Sequence, residues 1–353
     1  MRPGWSRRRL AVAARSWLST SVLLVLVAAT ASILANKSIT NVVTSFLIYT
    51  SLVVGYQMFM GNSGIVSFGH VAFFGIGAYC AALLNIPPET KELALPALPT
   101  FLQQTQTGAL PAIVIAAALS ALVALVIGFA PSRMQAETMG IATFAVLVIV
   151  YTVIHNWEEV TRGGLGIYDI PPVMTPVYAL LGLVIITGVA LAYKASPYGL
   201  RIQGARDDPL AVESLGVHLV PERLFCFVVS AAVMGAGGAM WAHNARAFGP
   251  ASFYFRDTFN IIAMMIVGGS ASVTGAIVGS AVVTVVSELM RFAENGIVIG
   301  MIEVPQIHGA VQLSVALLIL ATLFLRPTGI MGTGELILPF SQWARDFKKW
   351  IRR

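Results

Sequence analysis

Leu110-Pro-Ala-Ile-Val-Ile-Ala-Ala-Ala-Leu-Ser-Ala-Leu-Val-Ala-Leu-Val-Ile-Gly-Phe-Ala130 runs uncharged from end to end. Coiled as a helix at about 1.5 Å per residue it measures roughly 30 Å, the thickness of a bilayer's hydrocarbon core. Its apolar residues are continuous rather than alternating, which disfavours a strand of a membrane barrel. Similar runs recur along the chain. With 57% hydrophobic and 11% charged residues and a mean hydropathy of +0.81, the 353-residue chain falls outside the water-soluble globular class. The expected fold is an all-α polytopic membrane protein, one transmembrane domain over residues 1–353. No polar interval is much longer than about 30 residues, whereas a soluble domain needs about 50 or more.

Working outward from 110–130, further spans fall at 17–35, 39–60, 65–84, 139–155, 174–193, 223–243, 257–270, 274–291 and 308–325. The total is about ten, with 257–270 and 274–291 short enough to form a discontinuous or re-entrant pair. Pro87-Pro88, Pro96 to Pro99, Pro171-Pro172, Gly249-Pro250 and Pro327 mark the turns. Sixteen of the 22 Lys and Arg residues then fall on the side of the N-terminus, among them Arg7, Arg8, Arg9, Arg133, Lys194, Arg201, Arg206, Arg223 and Arg326. The other side holds Lys37, Lys91, Arg162, Arg246, Arg256 and Arg291. The excess of cationic residues predicts that both termini are cytoplasmic, with a short basic segment at 1–16 and a tail at 326–353. The net charge of +6 and pI near 9.5 accordingly reflect topology and anionic lipid, not nucleic acid. Ser6-Arg-Arg-Arg9 before the first run resembles a secretory or twin-arginine signal. An uncleaved anchor fits the span count better. Cys80 and Cys226 lie inside spans as small hydrophobes, with no disulfide or metal site indicated.

No G-x-x-x-x-G-K-[ST] phosphate loop is present, so the chain is expected to bind no ATP or other cofactor itself. There is no H-E-x-x-H, and the five His residues are far apart in sequence. Against this background, Gly199-Leu-Arg-Ile-Gln-Gly-Ala-Arg206-Asp207-Asp208-Pro-Leu-Ala211-Val-Glu213-Ser-Leu-Gly216 is a charged, helix-forming island between two apolar spans. Spans of this kind need no such cluster for solvation, which points to a handle for a soluble partner such as an ATPase. A plain cytoplasmic helix cap is the simpler alternative, since Asp207 and Asp208 before Pro209 suit a helix start.

Gly55 to Tyr79 packs glycines and polar side chains into nominal membrane sequence, with Gln57, Gly61, Ser63, Gly64, Ser67, Gly69, His70 and Gly75 as candidate pathway residues. Tight helix packing alone also accounts for the glycines. Gly268-Gly269-Ser-Ala-Ser-Val-Thr-Gly275 has the character of a helix break, and Gly268 and Gly269 join the candidate pathway. Thr161 to Pro171 lies between spans on the outer side, as a capped turn, a gate or a receptor contact. Glu288 is the only acid well inside a span, with Arg291 on the same helical face. The pair reads as snorkelling side chains or, alternatively, as a proton-coupling carboxylate and its neighbour. Gln57, Asn260 and His70 read as interhelical hydrogen-bonding groups, with a path-lining role as the alternative.

The block Gly61-x-x-Gly64-x-x-Ser67-x-Gly69-His70 to Gly77-Ala-Tyr79 resembles the signature of branched-chain amino acid ABC transporter permeases of the LivM type. So do Thr161 to Pro171, Ser196-Pro-Tyr-Gly199 through Gly216, Gly268-Gly269 and Arg326-Pro327-Thr-Gly329-Ile-Met-Gly332, in the family's order over residues 50–335. The resemblance implies that Arg206, Asp207, Asp208, Ala211, Glu213 and Gly216 couple to an ATP-binding subunit. Relatives often carry Ala-Ala where this chain has Ala211 and Val212. It further implies two ATP-binding cassette subunits, a second related permease in a heterodimer, and a periplasmic or lipid-anchored solute-binding protein. Location in the inner membrane and transport of a branched-chain or other small amino acid follow from the same resemblance. A urea or short-chain amide permease shares the glycine blocks. An ion-coupled transporter using Glu288 and an accessory protein without a path are the rivals from other classes.

Overall fold

The computed structural model describes residues 3–34, 36–294, 297–299, 302–304 and 308–337. Arg2 and the basic tail beyond residue 337 lie outside the described residues. The chain forms α1 (Pro3–Leu34), α2 (Lys37–Ser63), α3 (His70–Asn85), α4 (Pro88–Ala94), α5 (Thr100–Gln104), α6 (Ala109–Ser132), α7 (Ala136–Asn156) and α8 (Glu158–Thr161). It continues through α9 (Pro176–Ala195), α10 (Pro197–Asp207), α11 (Pro209–Ser214), α12 (Leu219–Ala245), α13 (Phe255–Gly268), α14 (Val273–Glu294) and α15 (Ala310–Leu325). Between α14 and α15, β1 (Ile297–Ile299) and β2 (Ile302–Val304) pair antiparallel.

Each expected span has its helix. Seven are long and apolar enough to cross a membrane alone: α1, α2, α6, α7, α9, α12 and α14. The other three are shorter. α3 is followed by α4 at a bend of 114°, α13 has 14 residues and α15 has 16, or about 20–25 Å at 1.5 Å per residue. Two boundaries differ from expectation by about five residues or more. The first helix already starts at Pro3, so the basic segment is its first turns and not a separate arm. The third starts at His70 instead of residue 65, because Gly64 takes φ +73 and terminates α2, its N–H bonding to Met60 O at 2.9 Å.

The bundle is built around α2 and α12, whose small residues admit neighbours at backbone distance. A Cβ on Gly77 of α3 would collide with the Gly235 backbone of α12, and one on Gly238 with the Phe74 carbonyl. On α6, Ala112, Ala116, Ser120, Ala124 and Gly128 recur at four-residue spacing and are buried. Val114, Leu122 and Val126 on its other face are exposed, as suits a helix with lipid on one side. Ser120 Oγ donates to Phe73 O at 3.3 Å, satisfying a hydroxyl that hydrocarbon would leave unpaired.

Hydrogen bonds between connections sort the loops into two groups. Arg206 Nη1 donates to Gly61 O at 3.0 Å, Lys194 Nζ to Ala271 O at 2.5 Å and Arg223 Nη1 to Met134 O at 3.0 Å. These join the α2–α3, α6–α7, α9–α12 and α13–α14 connections. At the opposite end, Ile167 N donates to Phe248 O at 2.9 Å and Ile170 N to Arg246 O at 3.2 Å, while Thr90 Oγ1 donates to Asp169 Oδ2 at 2.6 Å. Alternate connections among these thus meet at the same end, as successive antiparallel helices require.

Candidate functional site

The charged island closes the end where α2, α9 and α13 stop. α9 passes into α10 through Ser196, whose side chain caps the new helix by accepting from Gly199 N at 3.1 Å, with Pro197 in the first turn. The helix-forming island is two short helices, α10 and α11. Asp208 lies extended at φ −152 and its carboxylate accepts from Ala211 N at 3.0 Å, starting α11 with Pro209 at its first position. Asp208 therefore does begin a helix, whereas Asp207 is the last residue of α10 and pairs with Arg206 Nε at 3.1 Å. Gly216, at φ +82 with no heavy atom close to its would-be Cβ, turns the chain toward α12.

α11 is a projecting knob. Leu210 and Leu215 are 77% and 81% exposed, and Asp208, Ala211 and Glu213 are exposed beside them. A cavity of about 470 Å³ lies next to it, lined by Arg133, Glu213 and Gly216 to Pro221. Exposed apolar side chains with acids around them and a groove alongside have the anatomy of an interface, apolar at its centre and polar at its rim. The island is also wired inward. The Arg206 stem lies against Gly64, where a Cβ would meet Arg206 Cγ at 2.5 Å, while its guanidinium bonds the Gly61 carbonyl. Gly61 is itself approached by the Ser270 carbonyl, and Gln57 Nε2 reaches that same oxygen at 3.5 Å. The structure therefore brings together Arg206, Gln57, Gly61, Gly64 and the break after Gly268 and Gly269.

The remaining candidates sit elsewhere. Ser63 bonds back to Phe59 O at 2.8 Å. Ser67 Oγ and His70 Nδ1 are 2.7 Å apart, both buried, and the imidazole packs among Phe59 at 5.0 Å, Phe227 at 4.9 Å and Tyr56 at 5.5 Å between ring centroids. Gly69 abuts Thr143 and Gly75 abuts Phe253. These residues occupy the helix-packing interior of this subunit. Glu288 Oε1 lies 3.3 Å from Arg291 Nη1, on a partly exposed surface of α14.

Sequence reasoning missed the group at the helix break. Glu335 Oε1 accepts from Val273 N at 3.0 Å, and Oε2 from Thr274 N at 3.0 Å and Thr274 Oγ1 at 2.6 Å. Lys194 Nζ lies 2.6 Å from Oε1. Burial alone would raise the Glu335 pKa, but the Lys194 charge and these hydrogen bonds outweigh it and hold the carboxyl below its ordinary value. The sequence offered no helical spacing to find this contact, only an isolated acid after the Arg326 to Gly332 motif.

A bundle of apolar helices with two grouped sets of connections, one bearing a projecting charged knob, is the architecture of a multi-pass membrane protein. The family model described as branched-chain amino acid transport system / permease component matches residues 38–323. The chain belongs to that family, and is a multi-pass protein of the inner membrane. Among curated relatives, the high-affinity branched-chain amino acid transport system permease proteins LivM of Salmonella typhimurium and Escherichia coli are 24% and 25% identical, over 73% and 76% of this chain. A probable branched-chain amino acid transport permease protein LivH of Methanocaldococcus jannaschii is 23% identical over 56% of it. The chain spans about two thirds of these relatives' length: 65%, 68% and 64% respectively. No solved structure is a significant match to the chain.

Proposed function

We propose that this chain is one membrane half of an ABC importer for branched-chain or other small amino acids, driven by two separate ATP-binding cassette subunits that dock on Arg206 to Gly216. The observation that carries the reading is α11. Leu210 within it and Leu215 directly after it are 77% and 81% exposed at the same bundle end as the α2 terminus and the α13–α14 break. That end bears Arg133, Lys194, Arg206, Arg223 and Arg326, which supports a cytoplasmic orientation for it and for both termini. A second, related permease completes the path, and a periplasmic or lipid-anchored binding protein delivers solute to the end formed by Thr90, Arg162 to Ile170 and Arg246 to Phe248. The chain binds no ATP of its own. Closure of the ATPases pushes the knob, and Arg206 passes the movement to α2, switching the path between its two openings by alternating access. The Glu288–Arg291 pair, partly exposed and ion-paired, supports a snorkelling role in preference to ion coupling.

Co-expression with the candidate ATPase subunit tests this. The wild-type chain is expected to co-purify with it, and Asp208→Lys plus Glu213→Lys to lose it while remaining folded in the membrane. Equal recovery of the ATPase with both chains would contradict the assignment.

A further inference from the structure

The α13–α14 break would leave orphaned backbone groups on both sides, carbonyls at the end of α13 and N–H groups at the start of α14. One distant segment satisfies both. The carbonyls of Val267 and Gly268 accept from Ile330 N and Met331 N, each at 3.0 Å. Gly269, at φ +113, lets the two backbones close up: its would-be Cβ lies 3.0 Å from the carbonyl oxygens of Thr328 and Gly332. Four residues further on, the Glu335 carboxylate takes the first N–H groups of α14. The Arg326 to Gly332 motif is thus the strap that closes a broken helix.

The strap is held at its far end by Lys194, whose ammonium bridges Glu335 and the Ala271 carbonyl. Lys194 stands at the last turn of α9, directly before α10, and its own carbonyl accepts from Gln203 Nε2 of α10 at 3.0 Å. Both ion-pair partners are largely buried, with side-chain exposures of 19% and 13%, so solvent screens the contact little. We propose that Glu335 is a positioning residue of the transport cycle: clamped by Lys194, it fixes the α13–α14 break to the root of the coupling segment, so that displacement of α10 and α11 moves the break. Arg206 makes a separate link to α2. The inference rests on the importer reading above, because a chain without an ATPase at 206–216 has no displacement to transmit.

The test uses the full chain, assembled with its ATPase and permease partners in proteoliposomes, with solute uptake and ATP hydrolysis measured on the same preparation. Lys194→Met removes the clamp and leaves the Glu335 caps on α14 in place. It is expected to assemble, to hydrolyse ATP within about twofold of wild type, and to lose about tenfold in solute moved per ATP. Lys194→Arg keeps the charge and is expected to restore the ratio. A wild-type ratio in Lys194→Met overturns the proposal. So does a fall in uptake and hydrolysis together with complex recovery, which marks a folding role, and so does equal loss in both variants. Absence of ATP-dependent uptake from the wild-type assembly contradicts the importer reading itself and removes this inference with it.

Discussion

Leu210 and Leu215 provide a sharp test of the docking surface. Truncating a leucine to alanine removes about three carbons, each contributing about 0.8 kcal/mol when buried. Their exposures of 77% and 81% mean that roughly four fifths of this becomes available only when a partner covers them, about 2 kcal/mol per residue. Each 1.4 kcal/mol is tenfold in affinity, so Leu210→Ala or Leu215→Ala should weaken ATPase binding by about 10- to 30-fold and the pair by several hundredfold or about 4 kcal/mol. The same exposure predicts almost no effect on the isolated chain, because surface truncations away from packing stay within about 0.5 kcal/mol. The assay is titration of labelled ATPase subunit onto the detergent-solubilised chain, with thermal unfolding of each variant as control. Unchanged affinity in the double variant would refute the argument that this knob is covered by the ATPase.

Three further outcomes follow from particular contacts. Gly64→Ala places a Cβ at φ +73 against the Arg206 stem. The left-handed backbone alone costs about 1–2 kcal/mol, so a lowered melting temperature and reduced uptake are expected in detergent and vesicle assays respectively. The Glu335 carboxyl, held below its ordinary value of 4.5, contributes stability that is present above that pH and lost as pH falls through the lower folded value. Melting curves of wild type against Glu335→Gln should therefore differ most above pH 4.5 and converge in acid, and parallel curves would contradict the assignment. Lys91 is buried and donates to Leu102 O at 3.0 Å and Thr105 O at 2.5 Å. Lys91→Met should destabilise the chain by about 1–3 kcal/mol through the two abandoned carbonyls, read as a shift in unfolding midpoint.

The helices were legible because bilayer thickness imposes a length on apolar runs, and Gly and Pro punctuate them. Gly64, Pro88 and Gly269 all mark ends of helices. The island at 199–216 stood out because charge is scarce around it, and Asp208 before Pro209 carried a cap signal that the structure bears out. Which face of each helix looks inward was not legible. α3 is apolar on every side, so His70 could be read toward a path, yet it packs among aromatic rings of α2 and α12. The Glu335 clasp was hidden for a different reason. It joins residues 61 to 62 positions apart through folding of the strap, and neither periodicity nor local spacing records a contact of that kind. Lys194 was visible only as a topology marker, although its ammonium is spent on Glu335 and Ala271.

The central claim is that movement through this chain is powered by ATP hydrolysed on partners at the Arg206 to Gly216 end. Uptake of radiolabelled leucine into proteoliposomes, with ATP confined to that side, tests it most directly. The account predicts uptake only when the ATPase subunits, the second permease and ATP are all present, and none on imposing a proton gradient across vesicles holding this chain alone. Gradient-driven uptake by the lone chain, abolished in Glu288→Gln, would contradict it.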